Sequence, residues 1–307
     1  MQAAELTRKI AVKKRGNALG FWFFKVSLRL FGLKGAYGLL YFVCLHYLFF
    51  DRLAVSAALA YVNKRFRKGG FLKRRLHVYR LFINQGKQLL DRYAAITGAK
   101  VFDIQLKGYE KLKALLGDSK QGIILLTAHV GNWQVAMTTL KELNRTVYLL
   151  MRPEDNPAVQ SSLNISPEQS HIKIISPEQY LGGTLEVMKA LGEGNIVSIM
   201  GDRRYGFDAL GISFLENKAY FPFGAFSIAA SSKCPIIILL SAKLSWCRYI
   251  VDVSHVLYPR YEGQGIKREQ LRKYVQEFAG ILDKYVQEYP YQCFLFHDVW
   301  NKRGHHT

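Results

Sequence analysis

The stretch that most constrains this chain runs from Gln121 to Met137. Five apolar or β-branched residues, Ile123-Ile124-Leu125-Leu126-Thr127, are followed by Ala128-His129-Val130-Gly131-Asn132-Trp133. An uninterrupted apolar run of this length, closed by turn residues, reads as a strand buried on both faces. Gly131 and Asn132 supply the turn and the N-cap that open a helix at Trp133. His129 therefore sits at the carboxyl end of a buried strand, where the connecting loops of an open α/β sheet diverge and leave a crevice for ligands. A lone histidine is ordinarily a satisfied structural group. At the rim between a strand end and a helix N-terminus it is better read as chemistry.

Strands and helices alternate on either side of this unit. The pattern predicts strands at Val101–Lys107, Thr146–Met151, Ile172–Ile175, Asn195–Asp202, Pro235–Lys243 and Arg248–Val256, the last two as a hairpin. Helices are predicted at Tyr109–Leu116, from Trp133, near Pro157–Leu163, at Leu181–Leu191 and over Lys267–Glu288. The expected class is α/β, a mostly parallel central sheet flanked by helices, spanning residues 98–307. With 307 residues, half of them hydrophobic, the chain has ample material for one large core, and global disorder is excluded. No internal repeat is present. Cys44, Cys234, Cys247 and Cys293 are widely spaced, so they read as buried thiols and neither as a disulfide frame nor as a zinc site.

The charge is concentrated at the other end. Residues 1–90 hold eighteen Lys and Arg against Glu5 and Asp51 alone, so sixteen of the twenty net positive charges lie there. These basic residues flank long apolar runs, Phe21–Phe24 and the sixteen uncharged positions from Gly35 to Phe50. Lys and Arg edging apolar sequence suit an anionic bilayer surface better than a phosphate backbone, so no nucleic-acid partner is expected. Sixteen residues fall short of the roughly 20 of a comfortable membrane span, which predicts an interfacial or shallowly inserted helix. Two basic helices joined at Gly69-Gly70 account for Ala54–Ala95, and no acidic residue appears from Arg52 to Leu90. Residues 1–97 thus form a helical, membrane-associating module. The leading segment lacks a clear cleavage site and is expected to persist in the mature chain.

The His129 segment resembles the His-(x)4-Asp/Glu motif of the lysophospholipid acyltransferase superfamily, and its Gly131-Asn132-Trp133 continuation is similar to the branch of bacterial lipid A late acyltransferases. The resemblance implies an acyltransferase with His129 as general base, moving a fatty acyl chain from acyl carrier protein or a CoA thioester to a hydroxyl of a membrane lipid or glycolipid. It implies a location at the cytoplasmic face of a bacterial inner membrane, with no metal and no cofactor beyond the acyl donor. At the position where the motif has its acid this chain carries Gln134. An amide can accept the Nδ1 proton but offers no charge to the imidazolium, and in a serine-protease triad the same exchange costs about 10⁴ in turnover. The predicted replacement is Asp202, which follows a second buried strand in Gly201-Asp202-Arg203-Arg204. A salt bridge from Asp202 to Arg203, Arg204 or Arg152 is the structural alternative. If no carboxylate reaches His129, the alternative function is a non-catalytic lipid-binding scaffold.

Further elements extend the resemblance. Arg152 and Asn156 lie in a turn similar to the family's arginine-proline turn, and with Arg203, Arg204, Gly131 and Asn132 they are candidates for contacting phosphates or substrate. Lys218–Ala230 is similar to the family's Phe-Gly segment. Tyr289–Trp300 resembles its closing Pro-x-Gln-Trp segment, with Cys293 where tryptophan is usual. His297 and Asp298, neighbours with no accompanying nucleophile, are expected to be structural.

Overall fold

The structure is a computed structural model that describes residues 18–98, 101–118, 122–143, 145–151, 172–178, 180–204 and 209–302. The expected strand at the centre is β2, Ile123–Thr127, with all five residues buried. It lies fourth in a seven-stranded sheet of order β1-β9-β8-β2-β5-β3-β4. The other members are β1 Asp103–Lys107, β3 Val147–Leu150, β4 Ile172–Ile175, β5 Ile196–Met200, β8 Ile236–Lys243 and β9 Arg248–Leu257. β8 and β9 pair antiparallel, as predicted, and every other pairing is parallel. Burial on both faces explains why β2, β5 and β8 read as near-continuous apolar runs instead of alternating ones.

The N-terminal residues form three helices: α1 Ala18–Phe50, α2 Arg52–Arg65 and α3 Phe71–Ile96. The break between α2 and α3 falls at Gly69-Gly70 as expected. The apolar stretch ending at Phe50 is longer as a helix than it looked in sequence, because helical structure continues back through Lys34 and Arg29. Val26–Phe50, 25 residues, is long and apolar enough to cross a membrane by length and composition. Gly32, at φ 62°, kinks α1. One stripe of α1, Leu33, Ala36, Tyr37, Leu40, Cys44 and Leu48, is buried, and helices α1 and α3 pack together. That stripe belongs to the same continuous apolar core as β2 and β8.

Helix α4 is Tyr109–Asp118 and the short α5 is Trp133–Met137. Helix α6, Thr184–Gly192, starts later than predicted because Leu181, Gly182 and Gly183 all take positive φ in a preceding 3-10 turn. The long helix expected at the end is two segments meeting at Leu271: α8 Lys267–Gln270 and α9 Arg272–Glu288. Helix α9 buries Val275, Phe278, Ala279, Leu282 and Val286, an apolar stripe at helical spacing. Ala209–Phe214 and Asn217–Pro222 form a separate hairpin, β6 and β7, that the sequence reading lacked. Consequently the first part of the Phe-Gly segment is strand, and its helix, α7, covers only Gly224–Ser232. Of the four cysteines, Cys44, Cys234 and Cys293 are buried and Cys247 half-buried, all as free thiols. Arg152, Asn156 and the helix expected near 157–163 lie outside the described residues.

Candidate active site

The site is made by the register of two parallel strands. β2 and β5 pair with Thr127 opposite Met200, so the residues that follow each strand emerge side by side. The ladder continues one step further, Gly201 N donating to Thr127 O at 2.9 Å. His129 and Asp202, two residues beyond the paired ends, then face each other. The contact is double: the His129 backbone N–H donates to Asp202 Oδ2 at 2.7 Å, and His129 Nδ1 lies 2.9 Å from Oδ1.

Asp202 is completely buried, whereas the His129 side chain is 24% exposed. Burial alone would raise the Asp202 carboxyl. The charge of His129, its ring and backbone hydrogen bonds, and nearby Arg203 overcome that and hold it below the ordinary carboxylate range. An ionised carboxylate only accepts, so Nδ1 must carry the ring proton. When the ring is neutral, Nε2 then has the lone pair, which is the tautomer a general base requires.

The loop that carries His129 is held from three sides. Gly131 has φ 54°, and a Cβ there would come within 1.6 Å of Ser241 O, so only glycine fits. Asn132 caps α5 by accepting from Val135 N, donates from Nδ2 to Gln88 O in α3, and its own N–H donates to Ser241 Oγ. Its amide is thus engaged at both ends with the protein frame. From the closing segment, Gln292 O accepts from Gly131 N at 2.8 Å, and Phe294 N donates to His129 O at 2.7 Å. Cys293 forms the bridge between these two bonds opposite Val130, and burial together with nearby Asp202 pushes its thiol far up, so it stays protonated. The Gln292 side chain accepts from Lys243 N and Gln88 Nε2 and donates to Lys243 O. Sequence reading named this segment without seeing that it braces the histidine.

Gln134 stands apart from the His129–Asp202 contact. With its amide oxygen turned toward the available donors, it accepts from Trp133 Nε1 and Arg92 Nη1, both at 3.2 Å. Arg204 donates to the carbonyls of Asn301 and Lys302 and so ties down the segment after Trp300. Arg203 is half-buried beside Asp202, and its Nε is buried with no hydrogen-bond partner among the described residues.

The fold is thus a mostly parallel α/β sheet that carries a hydrogen-bonded histidine–carboxylate pair at the carboxyl ends of adjacent central strands. The family model for bacterial lipid A biosynthesis acyltransferases matches residues 91–302. The chain belongs to that family. No curated protein matches it.

Proposed function

We propose that this acyltransferase moves a fatty acyl chain from a thioester donor to a hydroxyl of a membrane lipid or glycolipid, with His129 as general base and Asp202 as the group that positions and charges it. His129 Nε2 takes the proton of the acceptor hydroxyl as its oxygen attacks the thioester carbonyl. When the tetrahedral intermediate collapses, the C–S bond breaks and the sulfur leaves with that proton as a thiol. Asp202 holds Nδ1–H throughout and offsets the imidazolium charge, the part played by the carboxylate of a hydrolase triad. The observation that carries this reading is the double hydrogen bond between Asp202 and His129, which returns to the site the acid that Gln134 withdrew.

Arg203, a half-buried cation near Asp202, suits the developing oxyanion or a substrate phosphate. Arg152 and Asn156 remain proposed substrate contacts. Gly131 and Asn132 serve substrate binding by fixing the shape of the loop. The donor is acyl carrier protein or CoA. An acidic carrier suits the basic N-terminal segment by electrostatic steering, and no cofactor or metal enters the reaction as written. The exposed apolar face and basic flanks of α1–α3 favour residence on an anionic leaflet, at the cytoplasmic face of an inner membrane.

The test is transfer from radiolabelled acyl carrier protein to a total membrane lipid extract. Transfer that vanishes in His129→Ala and Asp202→Asn but persists in Gln134→Glu supports the reading. Transfer by Gln134→Glu alone, and none by the natural chain, overturns it in favour of a lipid-binding scaffold.

A further inference from the structure

Strand pairing brings His129 close to Asp202, but it ends before either residue. The last parallel bond runs from Gly201 N to Thr127 O, and His129 lies two residues past it. Beyond that point the histidine loop takes backbone partners from the closing segment. Gly131 N donates to Gln292 O at 2.8 Å and Phe294 N donates to His129 O at 2.7 Å, on either side of the antiparallel bridge between Val130 and Cys293. The height of the imidazole over Asp202 is therefore set by where residues 292–294 stand.

Those three residues belong to no regular strand or helix. They follow a turn in which Gln292 N donates to Tyr289 O at 3.0 Å. With no helix or ladder to fix their position, a side chain ties them to the frame. Gln292 Oε1 accepts from Lys243 N at 2.8 Å and from Gln88 Nε2 at 2.9 Å, while Gln292 Nε2 donates to Lys243 O at 2.9 Å. The amide thus pairs with the peptide N–H and C=O of a single residue, as a neighbouring strand would. Lys243 ends β8, the strand beside β2. Gln88 lies on α3, and its carbonyl accepts from Asn132 Nδ2 at 2.8 Å in the histidine loop. The contacts close into a ring through Gln292, Gln88, Asn132 and Gly131. Gln292 and Gln88 are both buried. Among side chains of this length a carboxylate cannot donate to Lys243 O, and a thioether supplies none of the donated bonds, so the position calls for an amide.

We propose that Gln292 is a positioning residue for acyl transfer: its side-chain amide fixes the closing segment against Lys243 and Gln88 and so holds His129 in contact with Asp202. The kinetic consequence rests on the acyl-transfer reading; the geometric one does not. A base displaced by about 1 Å from its productive geometry costs on the order of 10² in rate. The loss falls on kcat with KM little changed, because what moves is the base.

The test compares the natural chain with Gln292→Met, which keeps the side-chain length and removes all three bonds, with Asp202→Asn, and with the two changes combined. Gln88→Leu removes one of the three and remains informative if Gln292→Met fails to fold. Transfer is measured per folded molecule. A fall in kcat of about tenfold to a hundredfold in Gln292→Met, smaller in Gln88→Leu and nearly absent on top of Asp202→Asn, supports the positioning role, since the amide then acts through the pair. Losses that multiply in full in the combined variant overturn it, as does an unchanged kcat in Gln292→Met. Imidazole ¹⁵N NMR reads the same contact without turnover. The Nδ1–H signal that disappears in His129→Ala should shift or broaden in Gln292→Met, and a signal left unchanged overturns the proposal. Should the natural chain transfer no acyl group, the acyl-transfer reading fails and the NMR comparison alone decides the positioning.

Discussion

At the scale of single residues, the proposed chemistry turns on where the carboxylate stands. In the motif that the His129 segment resembles, it is the fifth residue after the histidine. Here it arrives from the neighbouring strand, and that position holds an amide that binds Arg92 and Trp133. Asp202→Asn should therefore lower kcat by about 10²–10⁴ with little change in KM, because the amide can favour the wrong tautomer and carries no charge. Gln134→Glu should stay within a few-fold of the natural chain. Steady-state kinetics on the purified enzyme separate the two. The same carboxylate has a signature in stability. Its folded-state pKa is depressed below the ordinary carboxylate value, so its contribution is complete above that value and is lost as pH falls through the folded one. Thermal melts between pH 6 and pH 2.5 should show a steeper acid loss for the natural chain than for Asp202→Asn. Asp202 was legible as a candidate because it ends an apolar run, just as His129 does. Asn132 was legible as a functional position but not in its role, since the partners it satisfies, Gln88 and Ser241, are 44 and 109 residues away in sequence.

At the scale of elements, the histidine loop is a short segment clamped between α3, β8 and the closing segment. Gly131→Ala would need a positive φ and room inside Ser241 O, and neither is obtainable. We expect it to lose about 2 kcal/mol or more of stability and most activity, with denaturant melts and transfer assays as the readouts. The alternating strands and helices were readable because buried parallel strands and amphipathic helices leave strong periodicities, as β2 and α9 do. The β6–β7 hairpin was not. Its turn places Leu215 and Glu216 at φ 51° and 56°, where Asn-Gly would have advertised it. Such a turn is held by its surroundings, with Arg67 both donating to Leu215 O and pairing with Glu216. Neither contact has a local sequence signal. The break at Leu271 was equally hidden, since residues on both sides of it suit a helix.

At the scale of the molecule, the basic N-terminal segment and the sheet share one core, and a buried cluster joins them. Asp91 of α3 accepts from Tyr37 of α1, from Tyr249 of β9 and from the Lys243 ammonium at the end of β8. Burial lowers the Lys243 pKa and Asp91 opposes that shift. Removing Asp91 alone strands a buried cation, so Asp91→Asn should destabilise by about 3–5 kcal/mol, whereas Asp91→Asn/Lys243→Met should recover a substantial part. A double-mutant cycle by denaturant unfolding in detergent measures the difference. Sequence composition announced a basic helical segment edged with apolar residues, but not this weld, because Asp91 lies just beyond the acid-free stretch and its partners are scattered over the chain. While one stripe of α1 packs inward, Phe31, Phe42, Phe49 and Phe50 of the same helix are each more than two-thirds exposed. Lys243 has two attachments: its side chain grips Asp91 and Tyr37, and its backbone grips Gln292, whose carbonyl holds Gly131. The apolar helix and His129 are therefore joined through a short chain of hydrogen bonds. On the membrane reading, the base stands at a set altitude over the bilayer, and an acceptor is chosen by how far its hydroxyl rises from the lipid surface as much as by its chemistry.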